Sequence, residues 1–436
     1  MSPNQTPLLT LDDWLAWQLR VHPREIELGL ERVREVWMRL GSPRPGRTVI
    51  TVGGTNGKGS TVAFLEAMLA DAGLRVGAFT SPHLLRYNER VRIAGVDADD
   101  APLIAAFARI ESVRREIALT YFEFGTLAAI LLFSEQDLDV ALLEVGLGGR
   151  LDAVNLIDAD AMIVTTVDLD HQDWLGNDRE SIAREKAGIF RADRPAIIGE
   201  AQPPASLSSE ARRIGARMVA AGMDYRYARR ETDWTWQSGS ERLVLPLPTL
   251  AASCQFANAA AAIAALHALR DRIGWTPASI AHGVVDARVR ARLQRFSGPP
   301  ELVVDVAHNP QAAAVLAEWL GANPPSGRTI AVFGALADKD VQRIVAPLLG
   351  LVSAWRLASL ADVSPRGLDR EELMRRVSAA GDPAVAGIHD SVESALDAAL
   401  ATAQPGDRVL AFGSFLVAST ALSVAMRLPA FATQES

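Results

Sequence analysis

The chain has 436 residues, with 44 Lys and Arg against 52 Asp and Glu, a formal charge of −8 and an apolar fraction of 49%. That length exceeds one ordinary core and points to two domains, or three, while the composition is that of a globular protein and not a disordered one. The acidic balance excludes general nucleic-acid binding, which needs a basic footprint, yet allows a small anion held in a local pocket.

The N-terminal MSPNQTPLLTLDDW lacks the basic-then-apolar layout of a signal peptide. RTVITVG, residues 47–53, reads as a strand running into GTNGKGST. After that turn Val62, Leu65, Met68, Leu69 and Ala72 fall at helical spacing until Gly73 stops them. RVGAF is a second short strand and YFEFGTLAAILLF a mostly apolar helix. LDVALLEVG and AMIVTTV are continuous apolar runs, the type buried on both faces of a parallel sheet. EAQPPASLSSEARR reads as a surface loop, and so does NPPSGR. Cys254 is the single cysteine, so no intrachain disulfide can form and a reducing compartment is expected.

Near residue 297, RFSGPPE is a turn-rich joint. Beyond it the alternation restarts: ELVVDVAHNPQAAAVLAEWL is strand, turn and helix, and RTIAVFG and DRVLAFGS are further strands, the last feeding a helix. Two α/β domains are expected, residues 1–296 and 297–436. The longest apolar stretches, LAAILLF and FLVASTALSVAM, are too short or too hydroxylated to span a bilayer. A cytoplasmic monomer with small-molecule partners, no nucleic acid and no membrane is the expectation.

The glycine turn departs from the strict P-loop spelling. Val52 stands where the first glycine belongs, and Gly59 separates Lys58 from Ser60 and Thr61. A turn between strand and helix still aims its backbone N–H groups and the positive helix end at one point, a natural phosphate seat. Gly53, Gly54, Gly57 and Gly59 let the backbone approach oxygens, Lys58 would reach the terminal phosphates, and Ser60 or Thr61 offers a hydroxyl to Mg²⁺. A nucleotide is expected there. Glu144 ends one apolar strand, and Asp168, Asp170 and His171 follow another, at the strand ends where open parallel sheets bind ligands. Spacing alone leaves metal binding by Glu144 and His171 level with a loop carboxylate and a hydrogen-bonded cap.

GTNGKGS resembles the phosphate loop of the Mur-type ligases. SPHLLRYNERVRI, YFEFGTLAAILLF, LLEVGLGGRLDAVN, DHQDWLGNDRESIAREKAGIF, DVAHNP and FGSF resemble, in order and across nearly the whole chain, the folate branch of that family, dihydrofolate synthase/folylpolyglutamate synthase. The resemblance implies an α/β fold: a Mur-ligase-like P-loop domain with a central, mostly parallel sheet, plus a smaller Rossmann-like C-terminal domain. It implies ATP held by Thr55, Asn56, Gly57, Lys58, Gly59, Ser60, Thr61, Asn258, Arg292, Asp305 and His308. It also implies two Mg²⁺ ions, one near Ser60 and Ser81 with Glu144 and one reached by Glu144 and His171, together with a monovalent cation.

Lys58, Lys186 and His171 are the implied catalytic residues, Lys186 as a carbamate that supports the metals. Carbamylation needs a neutral amine, hence burial or a neighbouring cation. Without the resemblance Lys186 reads as a helix-surface partner of Glu185 or Asp178. The implied pteroate pocket takes Glu27, Leu28, Gly29 and Leu30, then Tyr121, Phe122, Glu123 and Phe124, then Asp152 and Ala153. Phe122 and Phe124 read equally as packing residues. Ala291 precedes Arg292 where the family has glycine, which puts the local turn and the aim of Arg292 in question.

The implied activity is ATP-dependent addition of L-glutamate to 7,8-dihydropteroate, then of further γ-linked glutamates to reduced folates, through an acyl phosphate. Binding ATP and acceptor across a two-domain cleft would orient them and exclude water. Alternatives are tail extension alone, another Mur-type ligase, or a nucleotide switch. A cell-wall ligase would bring an extra N-terminal domain, and the roughly fifty residues before the glycine turn are too few for one.

Overall fold

The computed structural model describes residues 9–22, 24, 26–428 and 431, so most of the stretch read for a signal peptide lies outside it. The chain divides into two compact units. One comprises the residues up to Val167 with Asp173–Thr249 and Phe256–Arg288; the other comprises Asp168–Gln172, Leu250–Gln255 and the residues from Val289 onward.

The first unit is built on an eight-stranded sheet. Its strands are β1 (Thr48–Gly53), β2 (Val76–Phe79), β3 (Val91–Ile93), β4 (Val96–Asp97), β5 (Val140–Glu144), β6 (Ala161–Val164), β7 (Pro195–Ile198) and β8 (Arg217–Ala220). They lie in the order β4-β3-β2-β5-β1-β6-β7-β8, parallel except where β3 meets β2 and β4. β1, β2, β5, β6 and β7 are buried at every residue, which is why they read as unbroken apolar runs. The helix Lys58–Asp71 follows β1 and ends just before Gly73, at φ +79°.

The same unit carries an antiparallel sheet that the sequence reading above did not include: β9 (Arg226–Arg229), β10 (Asp233–Ser238) and β11 (Glu241–Pro246). Its signal is the alternation in DWTWQS, which buries Trp234 and Trp236 on one face. The expectation of a loop at EAQPPASLSSEARR is corrected to a helix, Ala205–Ile214, with Leu207 and Ala211 buried on one side. Its first turn is satisfied from a distance, since the Glu180 carboxylate accepts from Ala205 N (3.1 Å) and Ser206 N (2.7 Å). No local cap betrays such a start.

The second unit holds a six-stranded sheet of β12 (Gln294–Phe296), β13 (Glu301–Val304), β14 (Thr329–Phe333), β15 (Ala354–Ala358), β16 (Val385–His389) and β17 (Arg408–Phe412). The order is β12-β13-β17-β14-β15-β16, with only β12 antiparallel. Phe333, Trp355 and Phe412 pack their rings 5.0–6.1 Å apart at its centre. The helix Pro310–Ala322 starts on Asn309, whose side chain accepts from Ala312 N.

Candidate functional site

Parallel pairing of β1 with β5 and β6 puts Gly53, Glu144 and Val164 at the same edge of the first sheet. The glycine turn begins there and is pinned by the chain leaving β6. Thr55 N donates to Thr166 O (2.7 Å), Asn56 N to Thr166 Oγ1 (3.1 Å), and Thr165 Oγ1 to Asn56 O (2.6 Å). Gly54, at φ +141°, lies so close to Thr165 that a Cβ would overlap its hydroxyl. Gly57, at φ +87°, lies against the Asn258 amide in the same way. Both glycines are therefore demanded twice, by conformation and by space.

Gly57 caps the helix Lys58–Asp71 without any side-chain bond, so the helix end faces outward through backbone amides. Lys58 Nζ folds back to Gly54 O (3.1 Å) and Thr55 O (3.2 Å), over the turn. The two hydroxyls separate in role. Thr61 Oγ1 donates to Gly57 O (2.9 Å) inside the helix, whereas Ser60 Oγ is buried without a hydrogen-bond partner. Glu144, itself 4% exposed, lies 3.8 Å from where a Gly59 Cβ would stand and accepts from Ser81 N (3.1 Å). Ser60, Ser81 and Glu144 thus share one neighbourhood. Among the described residues no three His, Cys, Asp or Glu side chains gather around one point. A hard cation here would rest on Glu144, a hydroxyl, phosphate oxygens and water, a set that suits Mg²⁺.

Lys186 is 4% exposed, near the end of the helix Arg179–Ala187. That burial corrects the surface reading; Glu185 pairs with Arg150 (2.9 Å), and Asp178 accepts from Ser181 N (2.8 Å). Burial is the condition that carbamylation asks of this lysine.

The three segments expected around a pteroate come together in the first unit. Gly29 N donates to Leu151 O (3.2 Å), and Arg32 joins Glu27 (2.6 Å) to Glu123 (3.2 Å). Glu123 also caps its own helix, accepting from Thr120 N (2.7 Å), and burial raises its carboxyl despite Thr120 and Arg32. Leu28, Leu30, Tyr121 and Phe122 keep partial exposure, while Ala153 is buried. The Phe122 ring lies over Gly146, where any side chain would run into it. Phe124 does not share that setting. It is fully buried, with Trp17 edge-on at 5.6 Å and the Arg114 guanidinium at 5.9 Å, and is a packing residue and not a ring face for a ligand. Asp152 accepts from Leu147 N (2.8 Å) and Val154 N (2.9 Å), yet burial pushes its carboxyl up to about 6.

In the second unit Ala291 adopts φ +53° in spite of its methyl group, with its N–H on Gln294 Oε1 (2.9 Å) and its carbonyl accepting from Val306 N (3.1 Å). The turn therefore forms without glycine. It leaves Arg292 over the Phe415 ring at 5.7 Å, with Nη1 buried and unpartnered, a donor suited to an anion. Asp305 accepts from Leu293 N (2.8 Å) and Ala307 N (2.7 Å), so it braces the turn around Arg292. Burial raises its carboxyl and the Arg292 charge draws it partly back. His308 donates Nδ1 to Val306 O (2.7 Å) and brings Nε2 to 3.5 Å from Asp170. His171 belongs to the short Asp168–Gln172 segment that groups with this unit.

Residues 52–266 match the Mur ligase middle domain, and residues 291–415 match the glutamate ligase domain of Mur ligases. The dihydrofolate synthase/folylpolyglutamate synthase of Escherichia coli (strain K12) is 45% identical, the alignment covering 93% of each chain. The chain belongs to the Mur ligase family, in that folate branch. Its namesake from Haemophilus influenzae is 39% identical over 93% of this chain and 95% of its own. Among solved structures, E. coli FolC in complex with DHPP and ADP superposes with TM-score 0.90 at 44% identity, covering 96% of this chain and 99% of that one. The Yersinia pestis enzyme with AMPPNP and Mn superposes with TM-score 0.88 at 42% identity, covering 97% and 100%. The protein is an ATP-dependent ligase.

Several residues that brace these segments were not singled out by the sequence. Thr165 and Thr166 read only as the end of a strand, and Arg32 carries no reading of its own. Lys339, from a distant loop, and Asn309, which lies in the DVAHNP stretch but was given no role there, both reach Asp170 (2.6 and 3.2 Å). The DKD triplet around Lys339 was the one available signal. Burial would raise Asp170, but His308, Lys339 and His171 outweigh it and hold the carboxyl far below the usual range.

Two predictions follow from the turn and from Asp152. Gly73, at φ +79°, has open space around it, so Gly73→Ala should cost only about 1 kcal/mol and leave ADP affinity unchanged. Gly54→Ala should cost more than that in denaturant unfolding and weaken ADP binding at least about tenfold by calorimetry. Equal effects of the two would contradict the crowding argument. Asp152 keeps its proton in the folded chain between its ordinary 3.8 and about 6, so its contribution to stability falls as pH rises through that window. The stability of Asp152→Asn relative to wild type should therefore improve from pH 4 to pH 7; a flat difference would show an ordinary carboxyl.

Proposed function

We propose that the protein joins L-glutamate to 7,8-dihydropteroate, forming dihydrofolate, and extends reduced folates with γ-linked glutamates, acting as a cytoplasmic monomer. The observation that carries this reading is the pinned glycine turn facing Glu144, in a chain similar over 93% of its length to an enzyme named for both activities. Tail extension alone is the second reading, since Mycobacterium tuberculosis folylpolyglutamate synthase is also similar, at TM-score 0.85 and 27% identity. The higher identity to the two-activity enzymes favours the first.

A free carboxylate repels an amine nucleophile. Transfer of the ATP γ-phosphoryl group removes the obstacle: a carboxylate oxygen attacks phosphorus, ADP leaves, and an acyl phosphate results. The glutamate amine then attacks the acyl carbon, phosphate departs, and the amine's proton is lost. Lys58 and the amides of Thr55–Thr61 would hold the terminal phosphates and oppose the charge that builds on them. Ser60, Ser81 and Glu144 would hold one Mg²⁺, and Glu144 with His171 a second, aided by carbamylated Lys186 and a monovalent cation. Those ions would neutralise phosphate charge. Asn258, Arg292, Asp305 and His308 would hold the rest of the nucleotide, and Glu27–Leu30, Tyr121–Glu123 and Asp152–Ala153 the pterin.

Incubation with dihydropteroate, L-glutamate and Mg-ATP should yield dihydrofolate, with one ADP released for each glutamate joined. Tail extension without dihydrofolate would leave the second reading. Lys58→Ala should lower the rate about 10²–10³-fold, the effect of losing one donor to a developing anion. An unchanged rate would remove the glycine turn from the chemistry.

A further inference from the structure

The Asp168–Gln172 segment carries a residue in the left-handed backbone region. His171 has φ +50°, in the left-handed region that residues other than glycine occupy uncommonly, though histidine enters it more readily than most. Its amide is held by the preceding residue, His171 N donating to Asp170 Oδ1 at 2.9 Å. The same oxygen accepts the Lys339 ammonium at 2.6 Å. The other oxygen accepts Asn309 Nδ2 at 3.2 Å, with His308 Nε2 at 3.5 Å. One carboxylate therefore converts a lysine, an asparagine and a histidine from the second unit into a fixed backbone at residue 171.

Lys339 is built to be immobile. It is 7% exposed, and its ammonium also lies 3.3 Å from Asp338. Asp338 is itself held by Arg366 (2.8 Å), and the carbonyls of Ala337 and Lys339 accept from Arg376 (2.7 and 3.4 Å). Asn309 is fixed just as firmly, since its Oδ1 caps the helix Pro310–Ala322 through Ala312 N. A lysine so enclosed makes a poor mobile phosphate clamp and a good anchor, because a buried charge with two carboxylates is costly to move.

We propose that Lys339 is a positioning residue, fixing the backbone of His171 through Asp170 and so setting the aim of the imidazole. The functional half rests on reading His171 as a metal-holding residue of an ATP-dependent ligase; the structural half does not. Residues that orient a ligand change metal affinity about 10–100-fold when removed, and Lys339 should act at that scale.

The test uses the whole protein with Lys339→Met, Asp170→Asn and the double variant. Hydrogen exchange at the amides of Leu169, Asp170 and His171 should quicken at least about tenfold in each, while the core of β14 and β17 stays protected. The Mg²⁺ concentration for half-maximal glutamate-dependent ADP release should rise about 10–100-fold, with the maximal rate largely recovered at saturating Mg²⁺. The double variant should be no worse than either single one, because both cut the same link. If Lys339→Met unfolds the protein, the near-isosteric Asp170→Asn alone should give the same exchange and Mg²⁺ shifts. Unchanged exchange at residues 169–171, or losses that multiply in the double variant, would overturn the proposal. A wild-type enzyme whose ADP release ignores divalent ions would instead sink the metal reading of His171, and the exchange data would still judge the anchor.

Discussion

The site depends on how little room the chain has where β1 ends. β1 runs between β5 and β6, and the residues leaving β6 bond across to the glycine turn. Thr165 takes the space where a side chain on Gly54 would go, and Asn258 takes the space beside Gly57. The turn is consequently one rigid shape with its amides already aimed. Donors fixed before a charge develops need no reorganisation when it does, and that is where electrostatic catalysis gets most of its strength. The unusual spelling of the loop has its explanation here. Gly59 brings the backbone alongside Glu144, where a Cβ would stand 3.8 Å from the carboxylate, and Ser60 directs a buried hydroxyl that the fold itself leaves without a hydrogen-bond partner.

Buried acids at the two ends of the first sheet show how partners decide a role. Asp160 precedes β6 at the opposite edge, where it accepts from Arg44 (2.8 Å), Arg272 (2.6 Å) and Val49 N (3.0 Å). A carboxylate so matched by guanidinium groups is a structural tie. Glu144 ends β5 at the other edge, where it accepts from Ser81 N (3.1 Å) and interacts with the Arg92 charge from β3. Chemically alike, the two acids are set apart by what the neighbouring strands deliver.

Much of this was legible in the residues. The glycine turn, the apolar strands and the acids at their ends are local patterns, and each maps onto an element within a residue or two. Ser60 against Thr61 was not decidable, because the difference lies in one hydrogen bond to Gly57 O. Phe122 and Phe124 look alike in YFEF, yet neighbours on one helix face different directions, and only Phe124 points at Trp17. The helix Ala205–Ile214 hid because its cap is Glu180, some twenty-five residues earlier. Ala291 shows the reverse case, a local rule overruled: a turn braced by Asp305 and Gln294 holds an alanine in glycine's conformation. The tie from Lys339 to Asp170 spans 169 positions of sequence, beyond the reach of any periodicity.

The central claim is chemical: the acceptor's carboxylate becomes an acyl phosphate before the amine arrives. Dihydropteroate labelled with ¹⁸O in both carboxylate oxygens, turned over with glutamate and Mg-ATP, decides it by mass spectrometry of the inorganic phosphate. One labelled oxygen in the phosphate released with each dihydrofolate formed is the predicted result. Phosphate free of label, with dihydrofolate formed at the normal rate, would contradict the account.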